Sequence, residues 1–236
     1  MARGRSRGDK SWAVIGVSAL LAAVFVVDSV VGLGLARRWA LFPSTLVRAF
    51  ETLRADPGAA AAWATVGSVW TSVLVHADLG HLASNVAFFW FFGTLLAQIA
   101  GNRWVVATFL LTSLSSGLAF VVQQTQGGAG GAVIGTSGAI SGVAGLYVLL
   151  AFRWDVPDAH AWPLARPIPP AQAALVGVLA AAMDVYMLRQ GLASGVAFAA
   201  HVGGFAGGLV LGALLTTFYP TWERFQRSPL GSRVGA

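Results

Sequence analysis

The chain has 236 residues, of which 56% are hydrophobic and only 10% are charged. Soluble domains carry about 25% charged residues, so this composition predicts a membrane protein. The absence of cysteine excludes disulfides, thiolate metal ligands and a cysteine nucleophile. The net charge of +6 does not indicate nucleic-acid binding, because no such motif is present and the basic residues at positions 1–10 are typical of a cytoplasmic topology signal.

Six apolar stretches approach or exceed the roughly 20 residues that a transmembrane helix requires. The first is too long for a signal peptide and further spans follow it, so we interpret it as a retained anchor. The sequence therefore predicts an all-α membrane protein with six transmembrane helices over residues 11–218, flanked by tails at 1–10 and 219–236. The predicted spans are 11–35, 82–100, 104–122, 132–152, 171–188 and 195–218.

The distribution of arginine and lysine predicts the orientation of these spans, because cytoplasmic segments carry more of them. If the N-terminus is inside, five arginines lie in external segments. Four of these five are in one long loop, where positive charges have little effect on orientation. We therefore expect a multi-pass protein of the plasma (inner) membrane with both termini in the cytoplasm.

The segment at 37–75 is too long for a simple connection and forms the long first external loop of this topology. Leu46, Phe50 and Leu53 alternate with charged residues, which indicates an amphipathic surface helix, and residues 56–58 form a turn signal. We expect the loop to dip into the outer leaflet, although an ordinary external loop fits equally well.

Two later connections are polar or rich in proline. Residues 123–131 are glycine-rich and uncharged, and they predict an outer turn that leads down to Ser137. Residues 155–170 contain five prolines and predict a cytoplasmic linker in which His160 is solvated.

Ser137 lies in the sequence Gly135-Thr136-Ser137-Gly138, which opens a long apolar run. A serine hydroxyl is a poor nucleophile unless a base takes its proton, and small neighbours leave room for such a base. Glycine and serine are also common in membrane helices because small residues pack closely. The motif alone therefore fits either catalysis or packing.

His201, near the start of the sixth predicted span, is the candidate base. Ionisable residues inside spans are costly and usually functional, although a histidine bonded to a neighbouring carbonyl is the alternative. Small residues follow both Ser137 and His201 on one helix face, so the two helices could approach closely enough for a hydroxyl–imidazole hydrogen bond. The glycines of these faces are Gly138, Gly142 and Gly145, and Gly204, Gly208 and Gly212.

A second polar group consists of His76, His81 and Asn85. His81 and Asn85 are four residues apart and share a helix face. They could form an interhelical clasp, donate hydrogen bonds to a developing oxyanion, or bind zinc with His201. No acidic residue sits at a matching helix position, so we predict neither a metal site nor a cofactor.

Two acidic residues, Asp28 and Asp184, also fall within predicted spans. Asp184 could orient His201 as the third member of a triad, or it could be solvated or paired with Arg189. The sequence favours the second interpretation because Asp184 lies near the outer part of its span. Asp28 has no evident role.

The sequences at 76–85 (HADLGHLASN), 135–138 (GTSG) and 200–208 (AHVGGFAGG) together resemble the rhomboid family of intramembrane serine proteases. They fall in or beside the second, fourth and sixth predicted spans, in the order of the family's motifs. The resemblance covers about residues 70–215 and implies a rhomboid-like six-helix bundle.

The resemblance implies that Ser137 is the nucleophile and His201 the general base of a dyad. It also implies that Asn85, His81 and the backbone N–H of Ser137 form the oxyanion hole. The supporting residues would be His76, Gly135 and Gly138.

The substrates that the family implies are single-span membrane proteins, cleaved near the outer side of the bilayer. The alternative is a non-catalytic rhomboid-like protein that binds transmembrane helices, and a small transporter is a weaker one. The sequence does not indicate the oligomeric state.

Two features depart from the family's pattern. The aromatic residue that commonly follows the serine by four positions is replaced by Ser141, so either the base is held less rigidly or another aromatic, such as Phe198 or Phe205, takes its place. The Trp-Arg pair before the first histidine is replaced by Gly67 and Ser68.

Overall fold

The computed structural model describes residues 11–127, 131–161, 166–191 and 195–231, so the predicted tail at 1–10 lies outside the described residues. The described chain is helical, as predicted, and contains isolated β-bridges but no β-sheet. Its helices are α1 (Trp12–Val31), α2 (Leu35–Arg38), α3 (Pro43–Ala55), α4 (Ala60–Thr71), α5 (Leu79–Ala100), α6 (Asn102–Thr125), α7 (Ser137–Arg153), α8 (Pro170–Gln190), α9 (Phe198–Phe218) and α10 (Trp222–Gln226).

Five of the described helices, α1, α5, α6, α8 and α9, are long and apolar enough to cross a membrane. Helix α7, in the fourth predicted span, has 17 residues, and at 1.5 Å per residue it rises only about 26 Å. It lies among α5, α6, α8 and α9, and most of its residues are buried. The protein is thus a multi-pass membrane protein, while the count of six spans stays a prediction.

Helix α7 begins at Ser137, five residues after the start of the fourth predicted span at residue 132. Val133 pairs with Leu41 through two backbone hydrogen bonds of 3.0 Å, and the Gly135 N–H donates to the Ser72 carbonyl at 2.9 Å. These bonds hold the approach to the helix extended, since they use backbone groups that a helix would need. Ser137 consequently occupies the first turn of α7, where backbone N–H groups have no intrahelical partner.

Helices α7 and α9 contact each other through their backbones. A Cβ added at Gly204 would overlap the carbonyl oxygen of Gly138, and one at Gly208 would overlap the carbonyl oxygen of Gly142. The structure therefore contains the close approach that the two small-residue faces predict.

The long first loop contains two helices. Helix α3 lies where the amphipathic helix was predicted. Of its three predicted apolar positions, Leu46 is buried, Leu53 is half-buried and Phe50 is exposed. The predicted turn follows, and the Asp56 carboxylate accepts a hydrogen bond from the Gly58 N–H at 2.9 Å. Helix α4 then packs beside α6, where the Trp70 indole donates to the Leu110 carbonyl at 3.1 Å. Insertion of this loop into the outer leaflet remains a prediction.

Asp28 near the end of α1 has a structural contact that its sequence context does not indicate. Gly32 ends the helix in a left-handed conformation, and the chain turns back at once. The Asp28 carboxylate then accepts hydrogen bonds from the backbone N–H groups of Leu35, at 2.9 Å, and Ala36, at 3.3 Å. Asp28 therefore satisfies the free N–H groups at the start of α2.

In the predicted tail at 219–236, residues 219–231 fold against the bundle, and residues 232–236 lie outside the described residues. The indole of Trp222 and the amide of Gln226 both donate to the Ile99 carbonyl, at 3.0 and 3.3 Å. Phe225 is fully buried and stacks on Trp154. The apolar face of α10 explains this packing, since exposed aromatic area is costly in water.

Hydrogen bonds hold the described part of the proline-rich connection after α7. Ala159 and Ile168 form an isolated antiparallel bridge, and the side chain of Gln98 bonds the backbone N–H and carbonyl of His160, at 3.0 and 2.7 Å. His160 itself is exposed, as the sequence indicates.

Candidate active site

Ser137 is half-buried at the N-terminus of α7, directly after a tight turn. Gly135 in that turn has φ +102°, a conformation that L side chains rarely adopt. A Cβ at Gly135 would also lie 2.6 Å from Nε2 of His81. Glycine is therefore required here both for the backbone conformation and for the space that His81 occupies.

His201, in the first turn of α9, points at Ser137. Its Nε2 lies 2.8 Å from the Ser137 Oγ, which is the distance of the hydroxyl–imidazole hydrogen bond that the small-residue faces allow. The backbone contact between α7 and α9 makes this possible, since a larger residue at Gly204 would push the helices apart. A hydroxyl hydrogen-bonded to an imidazole can pass its proton to the ring as it attacks a carbonyl carbon.

The other ring nitrogen of His201 contacts Asp184 of α8. Nδ1 lies 3.0 Å from the Asp184 Oδ1, and the two side chains are 15% and 18% exposed. The preference for a solvated or Arg189-paired Asp184 was therefore wrong. The pairing depends on how α8 is rotated about its axis, and the apolar sequence of α8 does not indicate that rotation.

His81 and Asn85 project from the start of α5 toward the same turn. Asp78 caps this helix by accepting a hydrogen bond from the His81 backbone N–H at 2.8 Å. The His81 Nδ1 lies 3.5 Å from the Ala77 N–H, which leaves the ring proton for Nε2, beside Gly135. The buried Asn85 Nδ2, which lies on the same side, has no hydrogen-bond partner in the described structure.

Two N–H donors thus face the turn that leads to Ser137. A buried amide without a partner costs free energy, and the unpaired Asn85 Nδ2 lies beside Gly135, in the turn before Ser137, where it could donate to a ligand oxygen. The backbone N–H of Ser137 lies in the first turn of its helix and adds a third candidate donor.

His76 lies between α4 and α5 and is 5% exposed. Its Nε2 is 3.4 Å from the Thr136 Oγ1, and its ring meets the His81 ring edge-on at 5.0 Å between centroids. Burial and the neighbouring His81 imidazole lower the pKa of His76 to about 4, so the ring is neutral at neutral pH. His76 thus contacts both the His81 ring and the Thr136 hydroxyl.

The aromatic contact to the base comes from Phe198, one of the two residues considered from the sequence. Its ring meets the His201 ring edge-on, with 6.2 Å between centroids. Ser141, at the departure from the family pattern, turns its hydroxyl to the Ser137 carbonyl at 2.9 Å.

A cavity of about 330 Å³ opens beside Ser137 and His201, between α5, α7, α8 and α9. Its polar lining includes Ser84, Ser141 and Asp184. The remaining lining is largely apolar and includes Phe88, Phe92, Ile140, Ala144, Met183 and Phe205. The arrangement can hold an apolar side chain next to a hydroxyl that has a base.

Within the described residues, no three His, Asp or Glu side chains gather in a way that could hold a metal ion. The sequence did not point to Thr136, which is fully buried beside Ser137 and contacts His76. The signal that could have found Asp184 is its position, because an acid inside an apolar span requires a partner.

Comparisons with known proteins bear on the family of the chain. A sequence region of Rhomboid-like protein 11, chloroplastic, from Arabidopsis thaliana is 29% identical to this chain over 85 residues, which is 36% of this chain and 29% of that protein. The family model described as Rhomboid domain matches residues 63–218, about two thirds of the chain, and the match includes Ser137, His201, His76, His81 and Asn85. The predicted family is therefore confirmed, and the chain belongs to the rhomboid family.

Proposed function

We propose that this protein is an intramembrane serine endopeptidase that cleaves single-span membrane proteins. The observation that carries the proposal is the 2.8 Å contact between the Ser137 Oγ and the His201 Nε2 at the edge of an apolar cavity. A hydroxyl and an imidazole inside a membrane bundle are expensive to bury, and their alignment is that of a nucleophile with its base.

In the proposed reaction, Ser137 Oγ attacks the carbonyl carbon of the scissile peptide bond while its proton passes to the His201 Nε2. The tetrahedral intermediate collapses, the C–N bond breaks, and His201 gives the proton to the departing amine. Water then attacks the acyl-serine ester in the same way, with His201 again taking and returning one proton. The enzyme is regenerated, and no cofactor is needed.

The negative charge that develops on the carbonyl oxygen would be met by the Asn85 Nδ2, the His81 Nε2 and the Ser137 N–H. The unpaired state of Asn85 Nδ2 supports this role, because it already bears the desolvation cost that an incoming oxyanion would relieve. Donors held in place before the reaction need no reorganisation when the charge appears.

The cavity supports a substrate with an apolar side chain next to the scissile bond. Its walls are largely apolar, and the helices that form it carry exposed apolar side chains on other faces, such as Leu179 on α8 and Leu214 on α9. We propose that substrates are transmembrane helices that unwind locally near the outer side of the bilayer, with both termini of this protein in the cytoplasm.

A fluorophosphonate probe tests the proposal directly. Wild-type protein in detergent should become covalently labelled at Ser137, and Ser137→Ala should not, while its thermal unfolding is unchanged. Ser141→Ala is the matched control, because this neighbouring serine lines the same cavity one turn later and its removal should leave the label in place.

Cleavage of a model single-span substrate in liposomes completes the test. The wild type should release two fragments, and Ser137→Ala should release none. A wild type that is folded but neither labelled nor able to cleave a panel of such substrates would favour the alternative, a non-catalytic rhomboid-like protein that binds transmembrane helices.

A further inference from the structure

The proposed proton transfer uses Ser137, at the N-terminus of α7, and His201. A third side chain, that of Asp184, also contacts His201. From this geometry we infer that Asp184 is a positioning residue that fixes the orientation and proton placement of His201, so the site works as a Ser-His-Asp triad. This inference rests on the proposed function and adds a third participant to it.

The hydrogen bonds of His201 define its tautomer. An ionised carboxylate can only accept hydrogen bonds, so the 3.0 Å contact with Asp184 Oδ1 places the ring proton on Nδ1. Nε2 is then left with a free lone pair, which accepts the Ser137 hydroxyl proton across 2.8 Å. This is the tautomer that a general base needs, and the opposite tautomer would aim an N–H at the serine.

Both ring nitrogens are engaged, so the ring cannot turn without losing two hydrogen bonds. Phe198 packs edge-on against the ring and leaves both nitrogens free for these partners. The Asp184 charge would also stabilise the imidazolium that forms when His201 takes the serine proton.

Asp184 has no competing partner among the described residues. The ion pair that the structure shows for it is with His201, and no pair with Arg189 appears in the described part of the chain. Asp28 provides the contrast, because this other acid near a span caps α2 through backbone N–H groups. The contacts of Asp28 are structural, whereas Asp184 directs its carboxylate at the base.

The first test is the rate at which fluorophosphonate labels Ser137 in Asp184→Asn, which keeps the shape and removes the charge. Loss of the corresponding carboxylate costs about 10⁴-fold in a buried triad. Because Asp184 and His201 are partly exposed, we expect a loss of about 10²-fold at neutral pH. With a model substrate, kcat should fall while KM stays the same, since Asp184 acts through His201.

The split between kcat and KM separates positioning from a merely structural contact. A positioning residue acts on the proton transfer through His201, so its loss lowers kcat for the folded molecules and leaves KM unchanged. A clasp between α8 and α9 would lower thermal stability without lowering kcat per folded molecule.

Two controls and one rescue complete the design. Arg189→Gln and Asp28→Asn each remove one charge outside the site, and both should keep the wild-type labelling rate. Asp184→Glu restores the charge with one additional methylene and should recover part of the rate, even if Asp184→Asn folds poorly.

Labelling of Asp184→Asn at the wild-type rate, with an unchanged kcat, would overturn the triad while leaving the proposed function intact. The triad is equally overturned if Asp184→Glu and Asp184→Asn lose thermal stability but label at the wild-type rate per folded molecule. A wild-type protein that is not labelled at Ser137 would instead overturn the proposed function itself.

Discussion

Helices α8 and α9 both pack against α7, yet they are held in different ways. The glycines of α9 leave no space between its backbone and that of α7, since a Cβ at Gly204 or Gly208 would overlap a carbonyl oxygen. The buried residues of α8 are Ala173, Ala174 and Gly177, all in its first half. The second half of α8, which includes Asp184, has no fully buried residue.

This difference separates two ways of positioning a functional group. Ser137 and His201 are placed by a backbone-to-backbone contact that allows little adjustment. Asp184 is placed by its own hydrogen bond to His201, on a helix half with weak packing of its own. We therefore expect substitutions at the α7–α9 contact to damage the fold and the site together, while substitutions on α8 should be tolerated better.

The largest expected effect comes from Gly204→Ala. The added methyl group would overlap the Gly138 carbonyl oxygen, and backbone cannot move aside as a side chain can. We expect a loss of stability of about 3 kcal/mol, at the upper end for overpacking. Displacing the serine and histidine by about 1 Å should also lower activity by about 10²-fold.

Thermal unfolding in detergent and the fluorophosphonate labelling rate measure the two effects. Gly67→Ala is the matched control, because a Cβ at that helical glycine meets nothing within 4 Å and should be neutral or slightly stabilising. Wild-type stability and labelling in Gly204→Ala would show that the α7–α9 contact is looser than its geometry indicates.

An intermediate effect is expected from Asn85→Ala, which separates chemistry from packing. The Asn85 Nδ2 has no partner to lose, so stability should change little. Turnover should fall by about 10²-fold or less, since the His81 and Ser137 donors remain. Thermal unfolding and cleavage of a model substrate test this together, and full activity with a stability loss of about 1–2 kcal/mol would instead make Asn85 a structural clasp.

The smallest effect is expected from Gly177→Ala on α8. Its Cβ would lie 2.7 Å from a methyl group of Val148 and 3.4 Å from the ring of Phe92, and both are side-chain atoms that can shift. The gain in helix propensity, about 1 kcal/mol, should offset most of the strain. Thermal unfolding should therefore resemble that of the wild type, and a loss as large as that of Gly204→Ala would erase the contrast between the two helices.

The sequence predicted the parts of the site that involve costly groups in apolar surroundings. Ser137, His201, His81 and Asn85 stood out because polar groups near or within spans must find partners, and the structure brings them to one turn. The glycine faces also predicted which two helices approach closely. In each case a local pattern was sufficient, because a polar residue in an apolar stretch and glycines at a fixed spacing are both visible within a short segment.

Other features depend on tertiary contacts that a local pattern does not contain. The start of α7 is set by hydrogen bonds to Leu41 and Ser72, which are more than 60 residues earlier in the chain. The role of Asp184 depends on the rotation of α8, which lipid-facing apolar residues leave unspecified. Helix α10 was missed because five residues are too few for a periodic pattern.

The packing of α10 means that the folded unit extends past the family boundary at Phe218. A truncation there would leave the Ile99 carbonyl without two donors. It would also remove Phe225, whose ring contacts those of Trp104 and Trp154. Affinity tags or fusion partners should therefore be attached beyond Gly231, where an added polypeptide would not displace α10 from the bundle.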